Sequence, residues 1–128
     1  MNEMRRKYPC PVCGFIVFHE PPGSYDVCEV CGWEDDTLQL EFATSLAGGA
    51  NAETLADAQA AFLKVEERLV RRRPGTTFPR MRDPQWRPID VSQDTFPEWS
   101  VDSEERAPSG GEELYYWRST FWRRARAS

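Results

Sequence analysis

The sequence has no run of about 18 apolar residues, so no segment reads as a membrane-spanning helix. Its first residues, Met1 to Lys7, are charged with no apolar stretch behind them, which does not match a secretory leader. A cytoplasmic setting is expected. There is a single histidine, His19, and no Gly-rich phosphate loop. No nucleophile stands in a pattern with a histidine, so catalytic residues are not expected and the chain reads as a non-enzyme. Basic residues are outnumbered, 16 against 21 acidic, and the net charge of -5 disfavours coating a phosphate backbone. Cysteine is scarce too, with four residues, all within the first 31.

Those four residues carry the strongest signal. Cys10, Cys13, Cys28 and Cys31 are spaced C-x2-C-x14-C-x2-C, and a glycine follows each pair, Gly14 and Gly32. Two residues between sulfurs let one tight turn offer both thiolates to one ion. The glycine supplies the left-handed backbone that returns the chain. Two such knuckles make a tetrahedral S4 site, suited to zinc or, as the alternative, iron. Disulfides would need an oxidising compartment, and a redox CxxC would need a strand-to-helix context. Here Cys13 precedes a strand-like run, Phe15 to His19.

Phe15–His19 is expected to pair with Tyr25–Val27 across a Glu20-Pro21-Pro22-Gly23-Ser24 turn. His19 reads as an exposed strand-end residue. Trp33 is expected to shield the sulfurs, with its indole N–H reaching a carbonyl or thiolate. Glu34, Asp35 and Asp36 read as a solvated turn or a cap for a neighbouring segment, and as acids available to a partner.

Several of these elements occur together and in order: Tyr8-Pro9-Cys10-Pro11, Pro21-Pro22-Gly23-Ser24-Tyr25, Cys28 to Asp36, and Gly48-Gly49-Ala50-Asn51. In this the chain resembles the bacterial cysteine-rich CPCC domain family, over about Tyr8 to Arg73. It departs where Val12 stands in place of the cysteine of the eponymous motif. The resemblance implies a zinc-binding bacterial protein, and some members of that family accompany toxin systems as candidate immunity proteins. The knuckle pair also resembles the rubredoxin-type module, which holds iron.

Leu38 to Leu46 reads as a connector, in strand or loop form. Leu55, Ala58, Phe62, Val65 and Leu69 recur at three and four residues, which predicts an amphipathic helix from about Leu55 to Arg73. Thr54 is its N-cap, Arg71 to Arg73 suit its negative end, and Pro74-Gly75 stop it. Prolines at 79, 84, 88 and 97 alternate with Phe78, Trp86, Phe96 and Trp99, the pattern of an extended arm that packs on the core. Leu114 to Arg126 reads as an aromatic, basic terminal helix carrying Arg118, Arg123 and Arg124.

The expectation is therefore an α+β protein. A zinc-ribbon or rubredoxin-like knuckle hairpin packs on one main helix in residues 1–73, and an aromatic arm with a terminal helix fills residues 74–128. Residues 1–64 carry 4 basic and 10 acidic residues, net -6; residues 65–128 carry 12 and 11, net +1. The terminal helix is expected to dock on the acidic half in cis, or across a homodimer. Glu34, Asp35, Asp36, Arg118, Arg123 and Arg124 are the expected contacts to a protein partner. The expected function is a metal-stabilised interaction module in an immunity or adaptor role. The alternatives are an Fe(Cys)4 electron carrier and an RNA-binding zinc ribbon, the last disfavoured by the net charge.

Overall fold

The computed structural model describes residues 7–78, 80–102, 106–107 and 111–123. Regular structure is sparse. Strand β1, Tyr8–Pro9, pairs antiparallel with β2, Ile16–Phe18, with a bulge between Tyr8 and Pro9. Two helices follow, α1 at Thr37–Glu41 and α2 at Leu55–Arg72, and then a 3-10 turn at Gly111–Leu114.

The strand pairing differs from the sequence expectation. β2 pairs back across the first knuckle, not forward across the Pro-Gly turn. Tyr25 sits at φ 61, a left-handed conformation that a regular strand cannot contain. Its segment pairs instead with the far side of the second knuckle. Tyr25 N–H donates to the Asp35 carbonyl at 3.0 Å, and Asp35 N–H donates to the Asp26 carbonyl at 2.9 Å. Each knuckle thus closes its own small hairpin.

Helix α1 occupies the expected connector. Asp36 caps it, its carboxylate accepting from Leu38 N–H at 2.9 Å and Gln39 N–H at 3.3 Å. Five residues give too little length for a helical period to show, and two of its buried residues, Gln39 and Glu41, are polar. α2 matches expectation closely. Thr54 accepts from Asp57 N–H, and Arg71 and Arg72 lie in the last turn, where cations suit the negative helix end. Only Leu55 and Gln59 of α2 are fully buried, so its first half carries the packing.

The proline-rich arm packs as expected, through backbone as well as rings. Ile16 N–H donates to the Met81 carbonyl and Asp83 N–H to the Gly14 carbonyl, both at 2.8 Å, so the arm lies along the free edge of β2. Phe78 meets Phe15 with centroids 5.0 Å apart, and Trp99 meets Phe42 at 5.1 Å. Gln59 joins three segments. Its amide N–H group donates to the Pro11 carbonyl and the Tyr116 hydroxyl, each at 2.8 Å, and its oxygen accepts from Ile89 N–H at 2.9 Å.

The expected terminal helix is not what Leu114 to Phe121 form. The chain there runs through turns, with Tyr115, Tyr116 and Trp117 all buried. Successive residues on a helix point about 100° apart, so three in a row cannot all face one core. Here each finds its own acceptor. Tyr115 donates to the Pro9 carbonyl, Tyr116 to the Arg87 carbonyl, and Trp117 Nε1 to Asp83. Burial raises both tyrosines above their ordinary values. The core therefore draws on both ends of the chain, from Cys10 to Trp122.

Three buried carboxylates receive arginines. Arg118 meets Asp83 at 2.8 Å, Arg87 meets Asp94 at 2.7 Å, and Arg106 meets Glu41 at 3.0 Å. Burial works against ionisation of Asp94, but the paired hydrogen bonds from Arg87 outweigh it and hold the carboxyl below its ordinary value.

Two outcomes follow from these ties. Gln59→Leu should strand the Ile89 N–H and lower stability by about 2 kcal/mol in denaturant melts, with faster amide exchange at Ile89. Asp94 has a depressed folded pKa, so its contribution is present above the ordinary carboxyl range and is lost as pH falls through the folded value. Asp94→Asn should cost about 1–2 kcal/mol at neutral pH, the low end because Arg87 is a third exposed, and should flatten the acid limb of a stability–pH curve.

Candidate metal centre

Each knuckle is built by the same two backbone bonds. Cys10 N–H donates to the Phe15 carbonyl at 2.9 Å and Gly14 N–H returns to the Cys10 carbonyl at 2.7 Å. Cys28 N–H donates to the Trp33 carbonyl at 2.8 Å and Gly32 N–H to the Cys28 carbonyl at 2.9 Å. Gly14 and Gly32 sit at φ 78 and 85, as the turn requires. A backbone N–H also reaches sulfur in the second knuckle, Val30 to Cys28 Sγ at 3.4 Å.

The two turns bring all four sulfurs within 4.8 Å of one another. Cys10 Sγ and Cys31 Sγ are 3.6 Å apart, and Cys13 Sγ and Cys28 Sγ 3.7 Å. A metal–sulfur bond of about 2.3 Å gives a tetrahedron with an edge of about 3.8 Å, so the donor set fits one ion held by four thiolates. Cys10, Cys13 and Cys28 are buried and Cys31 is half-buried.

Crowded sulfurs also perturb one another. Burial, with hydrogen bonds to the other three, holds the Cys10 thiol well above its ordinary value. For Cys13 the contact with Cys10 pulls downward, but Cys28, Cys31 and burial prevail and the thiol is raised. Cys28 shifts the other way, because hydrogen bonds from Cys10, Cys13 and Cys31 favour its thiolate. A cation at the centre would take the place of the shared protons and let all four ionise.

A polar network fixes the second knuckle from behind. The Asn51 side chain pairs with Glu34 twice, accepting from its N–H at 2.9 Å and donating to its carbonyl at 2.8 Å. Gln39, fully buried, accepts from Asn51 N–H and Nδ2 at 2.9 Å and donates to the carbonyls of Leu46, Asn51 and Glu53. Asp36 accepts from Ala50 N–H at 2.9 Å as well as capping α1. Asp35 accepts from the Ser24 hydroxyl at 2.7 Å and backbone N–H at 3.2 Å, and burial still raises its carboxyl.

These bonds correct the expected partner surface. Asp35 and Asp36 are 2% and 5% exposed and bond inward, so neither offers a charge to a partner. The expectation of a cap holds for Asp36. Glu34 is half-buried, with its backbone bonds to Asn51. Arg118 turns inward to Asp83 and to Gln85 at 2.6 Å, and Arg123 Nε reaches Thr95 Oγ1 at 3.4 Å. Arg124 lies outside the described residues. Trp33 is buried in the same cluster as the cysteines, as expected, but its Nε1 has no acceptor among the described residues. His19 is exposed. Sequence reasoning missed Gln39, Gln59 and Arg82. Arg82 Nε donates to the Cys13 carbonyl at 2.9 Å while its guanidinium lies 4.3 Å from the Phe15 ring centre.

The paired glycines provide an internal control. A Cβ on Gly32 would meet nothing within 4 Å, whereas one on Gly14 would lie 2.5 Å from Trp86 Cδ2. Gly32→Ala should therefore cost only the left-handed backbone penalty, about 1 kcal/mol. Gly14→Ala adds an overpacking penalty and should cost about 3 kcal/mol in chemical melts of the metal-loaded protein. Equal losses would show that Trp86 does not brace the first knuckle.

The family model for the cysteine-rich CPCC group matches residues 8–71. No curated protein matches the chain. The matched segment contains both knuckles, α1, the Asn51 network and nearly all of α2, and reads Cys10-Pro11-Val12-Cys13 at the first knuckle. With half its length matched and four cysteines gathered in a metal-binding arrangement, the chain belongs to the cysteine-rich CPCC family.

Proposed function

We propose that this chain is a zinc-stapled protein-interaction module acting in the cytoplasm, in an immunity or adaptor role. The observation that carries this reading is the set of four sulfurs at tetrahedral spacing, two supplied by each knuckle hairpin. Four thiolates fill the coordination shell of zinc and leave no position for an activated water. The ion then holds the fold and performs no reaction. Strands of two and three residues are too short to be stable alone, and the binding energy of a structural metal becomes folding energy. In this reading the module works by the surface it holds rigid.

The test is elemental analysis combined with in-cell cross-linking in the native host. One zinc per chain, and one discrete cross-linked protein lost in Cys28→Ser, is the expected result. That variant should also lose its cooperative melt. A red, reversibly reducible iron protein would overturn the zinc assignment in favour of an electron carrier. A metal-free native-like melt would overturn the stapling role. No cross-linked protein would overturn the interaction reading.

A further inference from the structure

The second half of α2 stands away from the core. Its apolar residues Val65 and Leu69 are 45% and 42% exposed, although they continue the stripe that Leu55 and Ala58 begin. With Val30, Ala61, Phe62 and Phe78 they line an open groove of about 450 Å³. The second knuckle contributes Cys31 and Trp33 to its wall. Toward the C-terminal end of α2, Arg68 and Arg72 border a second depression that shares Val65 and Leu69 with the groove.

The charge at that end is unbalanced. Glu66 is taken by Arg82 at 3.1 Å, and Glu67 by Arg71. Among the described residues Arg68, Arg72 and Arg73 have no carboxylate partner, and Arg68 Nε donates only to the Lys64 carbonyl. An apolar trough with cations at one end is complementary to an apolar segment that carries carboxylates. A second copy docked groove to groove would bring only Glu53 from the groove lining against those cations, leaving positive charge in excess.

We infer that this groove is the docking site for an acidic, apolar segment of a partner protein, lying along α2 with its carboxylates over Arg68 and Arg72. This rests on the interaction-module reading and names the surface that serves it. The second knuckle forms one wall, so the metal would hold the groove in shape.

Methyl NMR on the metal-loaded full chain tests the inference. The probe is a synthetic peptide of about 14 residues, roughly four helical turns, with leucine at i, i+3, i+4 and i+7 and glutamate between. Its lysine-for-glutamate counterpart is the control. The glutamate peptide should shift the Ala61, Val65 and Leu69 methyl signals. Arg68→Glu with Arg72→Glu, both on the helix exterior, should weaken it at least about tenfold and favour the lysine peptide. No shift at about 1 mM glutamate peptide, shifts centred elsewhere, or equal binding of both peptides would overturn the docking site. So would concentration-dependent self-association mapped to the same methyls. If the in-cell cross-linked protein persists in the double variant, the groove is refuted while the interaction module stands. If wild type yields no such protein, the module reading itself fails.

Discussion

Two small hairpins are joined at their sulfur tips, and the rest of the molecule is arranged around keeping those four atoms together. Cys10 lies beside Cys31 and Cys13 beside Cys28, so the close sulfur pairs run between the knuckles. Buried thiolates repel without a cation, and a cation without all four loses its shell. The fold answers this by bracing each knuckle separately. Trp86, Gln59 and Arg82 bond to the Pro11 and Cys13 carbonyls of the first. Asn51, Ser24 and Asp35 hold the second.

The bracing is mostly polar. Gln39, Gln59, Asp83, Asp94 and Glu41 are buried and every one has hydrogen-bond partners, from other segments for four of them and from the nearby Arg87 and Asp90 for Asp94. A buried polar group without partners would cost more than it returns, so each of these sites ties its segment to one position. The aromatic arm supplies area and the polar contacts supply register.

Legibility followed the range of the interactions. The knuckles and α2 were readable because their signals are local: Cys-x2-Cys-Gly, a Thr54 cap, and an apolar stripe ended by Pro74-Gly75. The fold around them was less so. Helix α1 is too short to display a period, and its buried Gln39 and Glu41 read as surface residues. Tyr25 has the residue type of a strand but a left-handed backbone, so the pairing expected across the Pro-Gly turn does not form. At the C-terminus, Leu114, Trp117 and Phe121 mimic a helical face, but Tyr115 and Tyr116 are buried too, and only long-range acceptors explain that. Gln59 could have been noticed. A glutamine four residues after Leu55, within the apolar stripe, marks a polar node on the inner face.

The Pro11 carbonyl carries a further consequence, for the order in which the chain can fold. Each Cys-x2-Cys unit sits within a hairpin closed by neighbours in sequence. The carbonyl at position 11 then waits for Gln59 and Trp86, and Gln59 in turn waits for Ile89 and Tyr116. The four cysteines thus lie within the first 31 residues, while the partners of the Pro11 carbonyl lie 48 and 75 residues further along the chain. The knuckle hairpins are closed by local contacts, and the aromatic segment packs against them through contacts of long sequence separation, the kind that a folding chain closes slowly.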